Sequence, residues 1–112
     1  MEDNLGFEDR RVFLRFPVNL PLRYIDLNGN KKGRAETQNV SANGMGLVVK
    51  EALTAHATLD IWLNIPDKGQ PLHTKGEVVW TKQIEPNKYI AGISLQKPEL
   101  MGISRVLAVT RS

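Results

Sequence analysis

An alternation of apolar and polar residues runs through Val18-Asn19-Leu20-Pro21-Leu22-Arg23-Tyr24, and Asn28-Gly29 follows it. A period of two is typical of a half-buried β-strand, because successive side chains point to opposite faces of a sheet. Asn-Gly is a strong signal for a hairpin turn, since both residues tolerate a positive φ. Pro21 has no N–H to donate, so we expect this strand to be an edge at that point. The stretch predicts a hairpin whose return strand covers about residues 32–40.

The same alternation, broken by turn-forming residues, recurs along most of the remaining chain. It predicts four more strands, at about residues 45–49, 59–65, 72–82 and 89–95. Six strands at short, regular intervals favour an antiparallel sandwich or a small barrel, because closure removes exposed strand edges. The sequence therefore predicts a mainly-β fold with six antiparallel strands.

The tail of the chain has a different period and predicts a helix over about residues 98–110. Pro98 suits the first turn of a helix. Large apolar residues then recur at helical spacing, at Leu100, Ile103 and Leu107. Gly102 weakens such a helix by about 1 kcal/mol relative to alanine, so we expect the helix to depend on packing against the barrel.

Composition excludes several classes of function. The 112 residues include no cysteine, which rules out disulfides, a thiolate nucleophile and a cysteine-based zinc site. His56 and His73 have no partner at metal-ligand spacing, and no acid/base or Ser–His–Asp constellation is recognisable, so we expect neither a metal site nor catalysis. No apolar run approaches the ~20 residues that span a bilayer, and no signal peptide is apparent. We expect a single cytoplasmic domain without membrane contact.

The net charge of +3 is unevenly distributed along the chain. Residues 1–9 carry four acidic side chains and no basic one, whereas residues 10–34 carry seven basic side chains against Asp26 alone. A local positive excess suits a compact anion better than a long polyanion, which needs a broader basic face. On charge alone, a solvated basic strand pair explains the pattern equally well.

Two short motifs suggest a ligand. The first is Arg10-Arg11-Val12-Phe13-Leu14-Arg15, in which Arg11 and Arg15 lie up to about 13 Å apart if the chain is extended. Guanidinium groups at that separation could hold opposite sides of a nucleotide, binding phosphate or the O6/N7 edge of guanine. The second is the turn Asn39-x-Ser41-x-x-Gly44, where glycine permits a left-handed conformation. Each motif alone is weak, but paired strands of about ten residues would bring the two together.

With these motifs the sequence resembles the PilZ domain family, bacterial receptors for the second messenger cyclic di-GMP. The resemblance covers nearly the whole chain, with RxxxR at Arg11 to Arg15 and [DN]xSxxG at Asn39 to Gly44. It extends to the strands around Gly76–Trp80 and Gly92–Leu95. It implies a PilZ-type six-stranded antiparallel β-barrel over residues 16–112 with a short C-terminal helix.

The resemblance also implies a role for each motif residue. Arg11 and Arg15 would be the principal contacts to phosphate and guanine, and Arg10 an accessory phosphate or stacking contact. Asn39 and Ser41 would supply hydrogen bonds to the nucleotide. Gly44 would shape the turn and let it approach the ligand closely. Many family members carry Asp in place of Asn39, and a carboxylate accepts from both guanine N1–H and N2–H, so we expect weaker affinity here.

The resulting hypothesis is a non-catalytic receptor that binds cyclic di-GMP without another cofactor. Residues 1–15 would form a flexible arm that binding orders, signalling to a downstream protein partner that the sequence does not identify. Arg10 favours a stacked pair of nucleotides over a single one. One alternative is a degenerate family member that acts as a protein-interaction module. A less favoured alternative is a small barrel that binds single-stranded nucleic acid, because few aromatic residues are interleaved with basic ones.

The aromatic residues receive separate predictions. Trp62 either points outward or packs under the C-terminal helix, and we prefer the helix contact. Trp80 is expected to join the core. Phe13 could line the ligand or pack against the barrel.

Overall fold

The computed structural model describes residues 15–110, which form seven strands and one helix. The strands are β1 (Phe16–Pro17), β2 (Pro21–Asp26), β3 (Lys31–Ser41), β4 (Gly44–Val49), β5 (Thr58–Leu63), β6 (Leu72–Glu85) and β7 (Lys88–Leu95), and the helix is α1 (Leu100–Thr110). Strands β2 to β7 pair antiparallel in the order β3-β2-β5-β6-β7-β4, and β4 pairs again with β3. This closes a six-stranded barrel, with β1 added beside β3. The predicted barrel with a C-terminal helix is confirmed.

The first hairpin, β2–β3, forms as predicted, but its turn differs. Strand pairing ends at Asp26 and Lys31, leaving a four-residue turn instead of a two-residue Asn-Gly turn. The carboxylate of Asp26 accepts hydrogen bonds from the N–H of Asn28 (2.9 Å) and of Gly29 (3.2 Å). The positive φ of 60° falls on Asn30. The carboxylate therefore caps the turn and moves the left-handed residue to its end.

The expectation of an edge strand at Pro21 is wrong. Strand β2 lies between β3 and β5 and pairs with both. Pro21 is the first residue of the strand, and its carbonyl accepts a hydrogen bond from the N–H of Asn64 at 3.0 Å. A proline is tolerated at this position because the lost donor lies at the end of the ladder.

The barrel core consists of every second side chain of the strands. It includes Leu22, Tyr24, Leu47, Val49, Leu59, Ile61, Leu63, Val78, Ala91 and Ile93. Helix α1 adds Val106, which is fully buried. The prediction that strand periodicity identifies the inward face is confirmed for these residues.

Helix α1 packs on the barrel through a face that only partly matches the predicted one, since Ile103 contacts the core as expected but Leu100 does not. Leu100 is 63% exposed, whereas Gly102 and Val106 are buried. A β-carbon on Gly102 would meet the side chain of Leu72, so the glycine permits close packing. The helix begins two residues after Pro98, and just before it the N–H of Glu99 donates to the carbonyl of Ala42 at 2.7 Å. The described residues contain no helix with the length and hydrophobicity needed to cross a bilayer.

The expectation that Trp80 joins the core is wrong. An extra residue, Val79, forms a bulge in β6, so that Val78 pairs with Ile93 and Trp80 with Gly92. The bulge shifts the alternation by one, and Trp80 becomes 46% exposed. Its ring lies against Gly92, where a β-carbon would collide with it.

Candidate functional site

The side chain of Thr37, in the middle of β3, attaches the segment before β2 to the barrel. Its hydroxyl donates to the carbonyl of Val18 at 2.6 Å and accepts from the N–H of Leu20 at 2.9 Å. Thr37 is fully buried. One side chain therefore satisfies two backbone groups and fixes the preceding segment against β3. Neither motif includes Thr37, although a hydroxyl at an inward-facing strand position is a signal that could have identified it.

Strand β1 continues this segment alongside the end of β3. Phe16 lies opposite Val40 and Pro17 opposite Asn39. Arg15 immediately precedes β1, so it reaches the rim of the barrel next to the Asn39-x-Ser41-x-x-Gly44 turn. The start of the described chain and the bend near residue 40 meet, as the two motifs predict.

The two motifs are joined directly by a hydrogen bond. Arg15 Nη1 donates to Asn39 Oδ1 at 2.7 Å, and the same oxygen accepts from the N–H of Gly46 at 3.1 Å. The amide oxygen of Asn39 is thus fully used. The Arg15 side chain is exposed, and its other N–H donors make no hydrogen bond within residues 15–110. These donors are available to a phosphate or to the O6/N7 edge of guanine.

A β-bulge directs Asn39 to the outside of the barrel. In the first half of β3 the inward residues are Ala35 and Thr37, both odd-numbered. Gln38 is the extra residue, because Thr37 pairs with Leu47 and Asn39 with Gly46. After the bulge the buried residue is Val40, and Asn39 is only half-buried. Without the bulge the polar side chain would point into the core.

Ser41 lies two residues after Asn39 and is buried. It is 2% exposed, and its hydroxyl lies 2.9 Å from Asn43 Oδ1 and 3.2 Å from the carbonyl oxygen of Gly44. The hydroxyl has one hydrogen and can donate to one of these acceptors at a time. In this arrangement Ser41 stabilises the turn, and its contact with a nucleotide stays a prediction. Asn43, a residue between the fixed positions of the motif, is a partner of Ser41.

Gly44 is required for packing and not for a left-handed conformation. None of the glycines in the described chain has a positive φ, which corrects the expectation for this turn. A β-carbon on Gly44 would lie 2.6 Å from the carbonyl oxygen of Ile93 and 3.4 Å from Arg15 Nη2. The glycine therefore lets β4 approach β7 and leaves room for the Arg15 guanidinium.

Of the six predicted site residues, the structure brings four together at one rim, namely Arg15, Asn39, Ser41 and Gly44. Arg10 and Arg11 lie outside the described residues, as does Phe13. Within residues 15–110 no group of three or more histidine, aspartate or glutamate side chains is placed to hold a metal ion. In the described part of the rim, Arg15 supplies a cationic side chain and Asn39 supplies amide N–H donors.

Comparison with known structures identifies the same fold in several proteins. The PilZ domain of YcgR from Escherichia coli, solved with c-di-GMP, has a TM-score of 0.70 at 16% identity, with 91% of this chain and 92% of that chain covered. The inhibitor of motility MotI/DgrA from Bacillus subtilis has a TM-score of 0.68 at 15% identity, and this chain (89% covered) spans only 49% of its length. The PilZ domain of CeSA from a cellulose-synthesizing bacterium has a TM-score of 0.60 at 13% identity, covering 86% and 93% of the two chains.

The comparison of sequences points to the same group. No curated protein matches the chain. The family model of the PilZ domain, however, matches residues 9–104, which include both motifs and the whole barrel. The chain belongs to the PilZ domain family.

Proposed function

We propose that this protein is a non-catalytic receptor for cyclic di-GMP, which binds at the rim where Arg15 meets Asn39. The observation that carries the proposal is the 2.7 Å hydrogen bond between these residues, because it joins two motifs that are 24 residues apart in the chain. PilZ-domain structures solved with c-di-GMP, such as that of YcgR, support the choice of ligand.

The geometry suggests how the ligand is held. Arg15 uses one N–H for Asn39, and its remaining donors form a planar fork suited to a phosphate or to guanine. Asn39 offers its amide N–H groups, while Ser41 and Gly44 keep the turn in shape. Arg10 and Arg11 would add two further guanidinium groups, and we favour two stacked nucleotides over one for this number of cations.

Binding would also supply the signal. Because Arg10, Arg11 and Arg15 belong to one continuous segment, a nucleotide that contacts all three draws residues 10–15 against the barrel rim. A segment fixed by a ligand can create or mask a surface for a partner protein. We infer that the readout is a contact with such a protein in the cytoplasm, without chemical conversion of the nucleotide.

The test is a calorimetric titration with cyclic di-GMP, which yields affinity and stoichiometry together. Replacing Arg11 or Arg15 by alanine removes a charged, bidentate contact worth roughly 1–3 kcal/mol, so each variant should bind tens-fold more weakly. Arg34→Ala is the matched control, because Arg34 lies on the same strand as Asn39 but five residues away. Parent-like binding by both Arg11→Ala and Arg15→Ala would show that the site assignment is wrong.

A thermal-shift measurement separates the receptor from a protein-interaction module. At 100 times its dissociation constant a ligand stabilises the folded chain by about 2.7 kcal/mol, which gives a clear rise in Tm. If saturating cyclic di-GMP produces no shift, the domain acts as an interaction module.

A further inference from the structure

A row of four side chains crosses the outer face of the barrel, away from the nucleotide rim. Arg34 on β3 lies opposite Arg23 on β2, Arg23 opposite Trp62 on β5, and Trp62 opposite His73 on β6. We call these four residues the cationic row. Asn39 lies five positions after Arg34 on β3, or about 16 Å along an extended strand, so the row is distinct from the nucleotide site.

The two arginines of the row are not explained by the stability of the barrel. Like charges directly opposite each other on neighbouring strands are destabilising. Neither Arg23 nor Arg34 makes an ion pair within residues 15–110, and nor does the adjacent Lys32. Asp60, the acidic residue on this face of β5, already contacts His73 at 3.0 Å and Lys75 at 4.0 Å. The described chain thus leaves the arginine pair without a counter-ion.

The rest of the row holds Arg23 in place. Its guanidinium carbon lies 5.4 Å from the centre of the Trp62 ring. On the other side of β5, the ring of His73 stacks on Trp62 with a centroid distance of 4.9 Å and an interplanar angle of 27°. Asp60 in turn binds His73 Nε2. A guanidinium stacked in this way keeps its edge N–H groups free for a carboxylate or phosphate.

The surroundings of the arginine pair are concave and basic. A hollow of about 600 Å³ on one side is lined by Arg23, Lys32, Arg34 and Trp62. A second hollow of about 770 Å³ on the other side shares both arginines and adds Lys50 and Lys88, with Glu36 and Glu85 as its acidic residues. Arg23 and Arg34 line both hollows.

We propose that the cationic row is a docking surface for an acidic segment of a partner protein, whose carboxylates pair with Arg23 and Arg34. A carboxylate supplies the missing counter-ion and fits the planar fork of arginine. Nucleic acid fits less well, because single strands bind by stacking bases on aromatic rings and both neighbours of Trp62 already stack on it. The proposal does not depend on nucleotide binding.

The test uses a ten-residue glutamate peptide and an oligothymidylate of the same length as probes. In a Trp80→Phe background Trp62 is the one remaining tryptophan, so its emission reports on the row. We expect the peptide to change this emission and Arg34→Glu to weaken peptide binding by about tenfold or more, as for loss of one charge-assisted pair. Lys82→Glu on the far part of β6 makes the same change in charge and should have a much smaller effect.

Stability is the second readout. Arg34→Glu should raise Tm, because it replaces a like-charge pair by an opposite-charge pair with Arg23. A fall in Tm would contradict the argument from unbalanced charge and overturn the proposal. The proposal would also be overturned if Lys82→Glu weakened peptide binding as much as Arg34→Glu does. Tighter binding of oligothymidylate than of the peptide, with a change in Trp62 emission, would likewise overturn it and would identify a nucleic-acid surface. Cyclic di-GMP affinity should be unchanged in Arg34→Glu, so the two proposals fail independently.

Discussion

Two arginines attach the two ends of the described chain to the barrel, and they do so in different ways. Arg105 in α1 donates from Nε and Nη2 to the carboxylate of Asp67 at 2.7 and 2.8 Å, and from Nη2 to the carbonyl of Gln70 at 2.8 Å. Arg15, within the part of the chain that the structure describes, donates one hydrogen bond, to the neutral amide of Asn39. Arg105 thus donates from two nitrogens to a carboxylate, whereas Arg15 donates from one nitrogen to a neutral oxygen of the described chain.

The difference separates a structural contact from a binding group. Pairing with Arg105 holds the pKa of Asp67 far below its usual range, helped by the N–H of Gly69. Such a pair has little to gain from a ligand. Within residues 15–110 the Arg15 guanidinium contacts no carboxylate and uses one of its donors, so an anionic ligand can bind it without displacing an acidic side chain of the described chain. An arginine held by a neutral side chain is therefore better suited to recognition than one held by an acid.

The largest effect is expected from removing the Thr37 hydroxyl, which holds the segment after Arg15 and β1 against β3. Thr37→Val leaves the carbonyl of Val18 and the N–H of Leu20 without their partner, and should lower the free energy of unfolding by about 2–3 kcal/mol. Urea denaturation measures this loss. Thr37→Ser keeps the hydroxyl and should retain most of the stability. A parent-like Thr37→Val would show that the hydroxyl does not position the segment.

Replacing each of the two arginines by alanine is expected to give the next largest effect. Arg15→Ala should weaken cyclic di-GMP binding tens-fold, corresponding to roughly 1–3 kcal/mol, with little change in Tm. Arg105→Ala should lower Tm because α1 loses its bonds to Asp67 and Gln70, while nucleotide affinity at a temperature where the domain is folded is unchanged. Calorimetry gives the nucleotide affinity of each variant, and thermal melting gives its Tm. If Arg105→Ala lowered the affinity for cyclic di-GMP and Arg15→Ala did not, the assignment of Arg15 to binding and of Arg105 to stability would be wrong.

The charged pair also predicts a pH dependence. Because the pKa of Asp67 is lower in the folded chain than in the unfolded one, the unfolded chain binds protons first as the pH falls. The stabilisation from this pair is complete above about pH 4 and is lost as the pH falls further toward the lowered value. Asp67→Asn should therefore have a lower Tm than the parent at pH 7 and a smaller difference from it near pH 2. A constant difference between the two curves would exclude this contribution.

The smallest effect is expected from giving Arg15 a carboxylate partner, as Arg105 has in Asp67. Asn39→Asp places a carboxylate beside Arg15, and an exposed ion pair adds only about 0–1 kcal/mol to stability. The same carboxylate can accept from guanine N1–H and N2–H, so we expect cyclic di-GMP affinity to rise by a few-fold in calorimetry. Weaker binding would instead mean that the new charge holds Arg15 too firmly or repels the phosphates.

The orientations of Trp80 and Asn39 have one cause in common. Trp80 and Asn39 both lie after a β-bulge, at Val79 and Gln38 respectively, and each bulge reverses which side of the barrel the next residues face. A bulge is defined by pairing with a strand that is distant in sequence. Local alternation cannot show it, and this is why Trp80 was expected in the core.

The amino-acid pattern alone determined the six barrel strands, the C-terminal helix and the two motifs, because side-chain periodicity and turn chemistry act between near neighbours in the chain. The motifs were also sufficient to indicate the PilZ family. Tertiary structure decided which face of α1 packs, how Thr37 secures the start of the barrel, and that Arg23 and Arg34 lie side by side. These features depend on strand register and close packing between distant residues, which are settled only when the barrel closes.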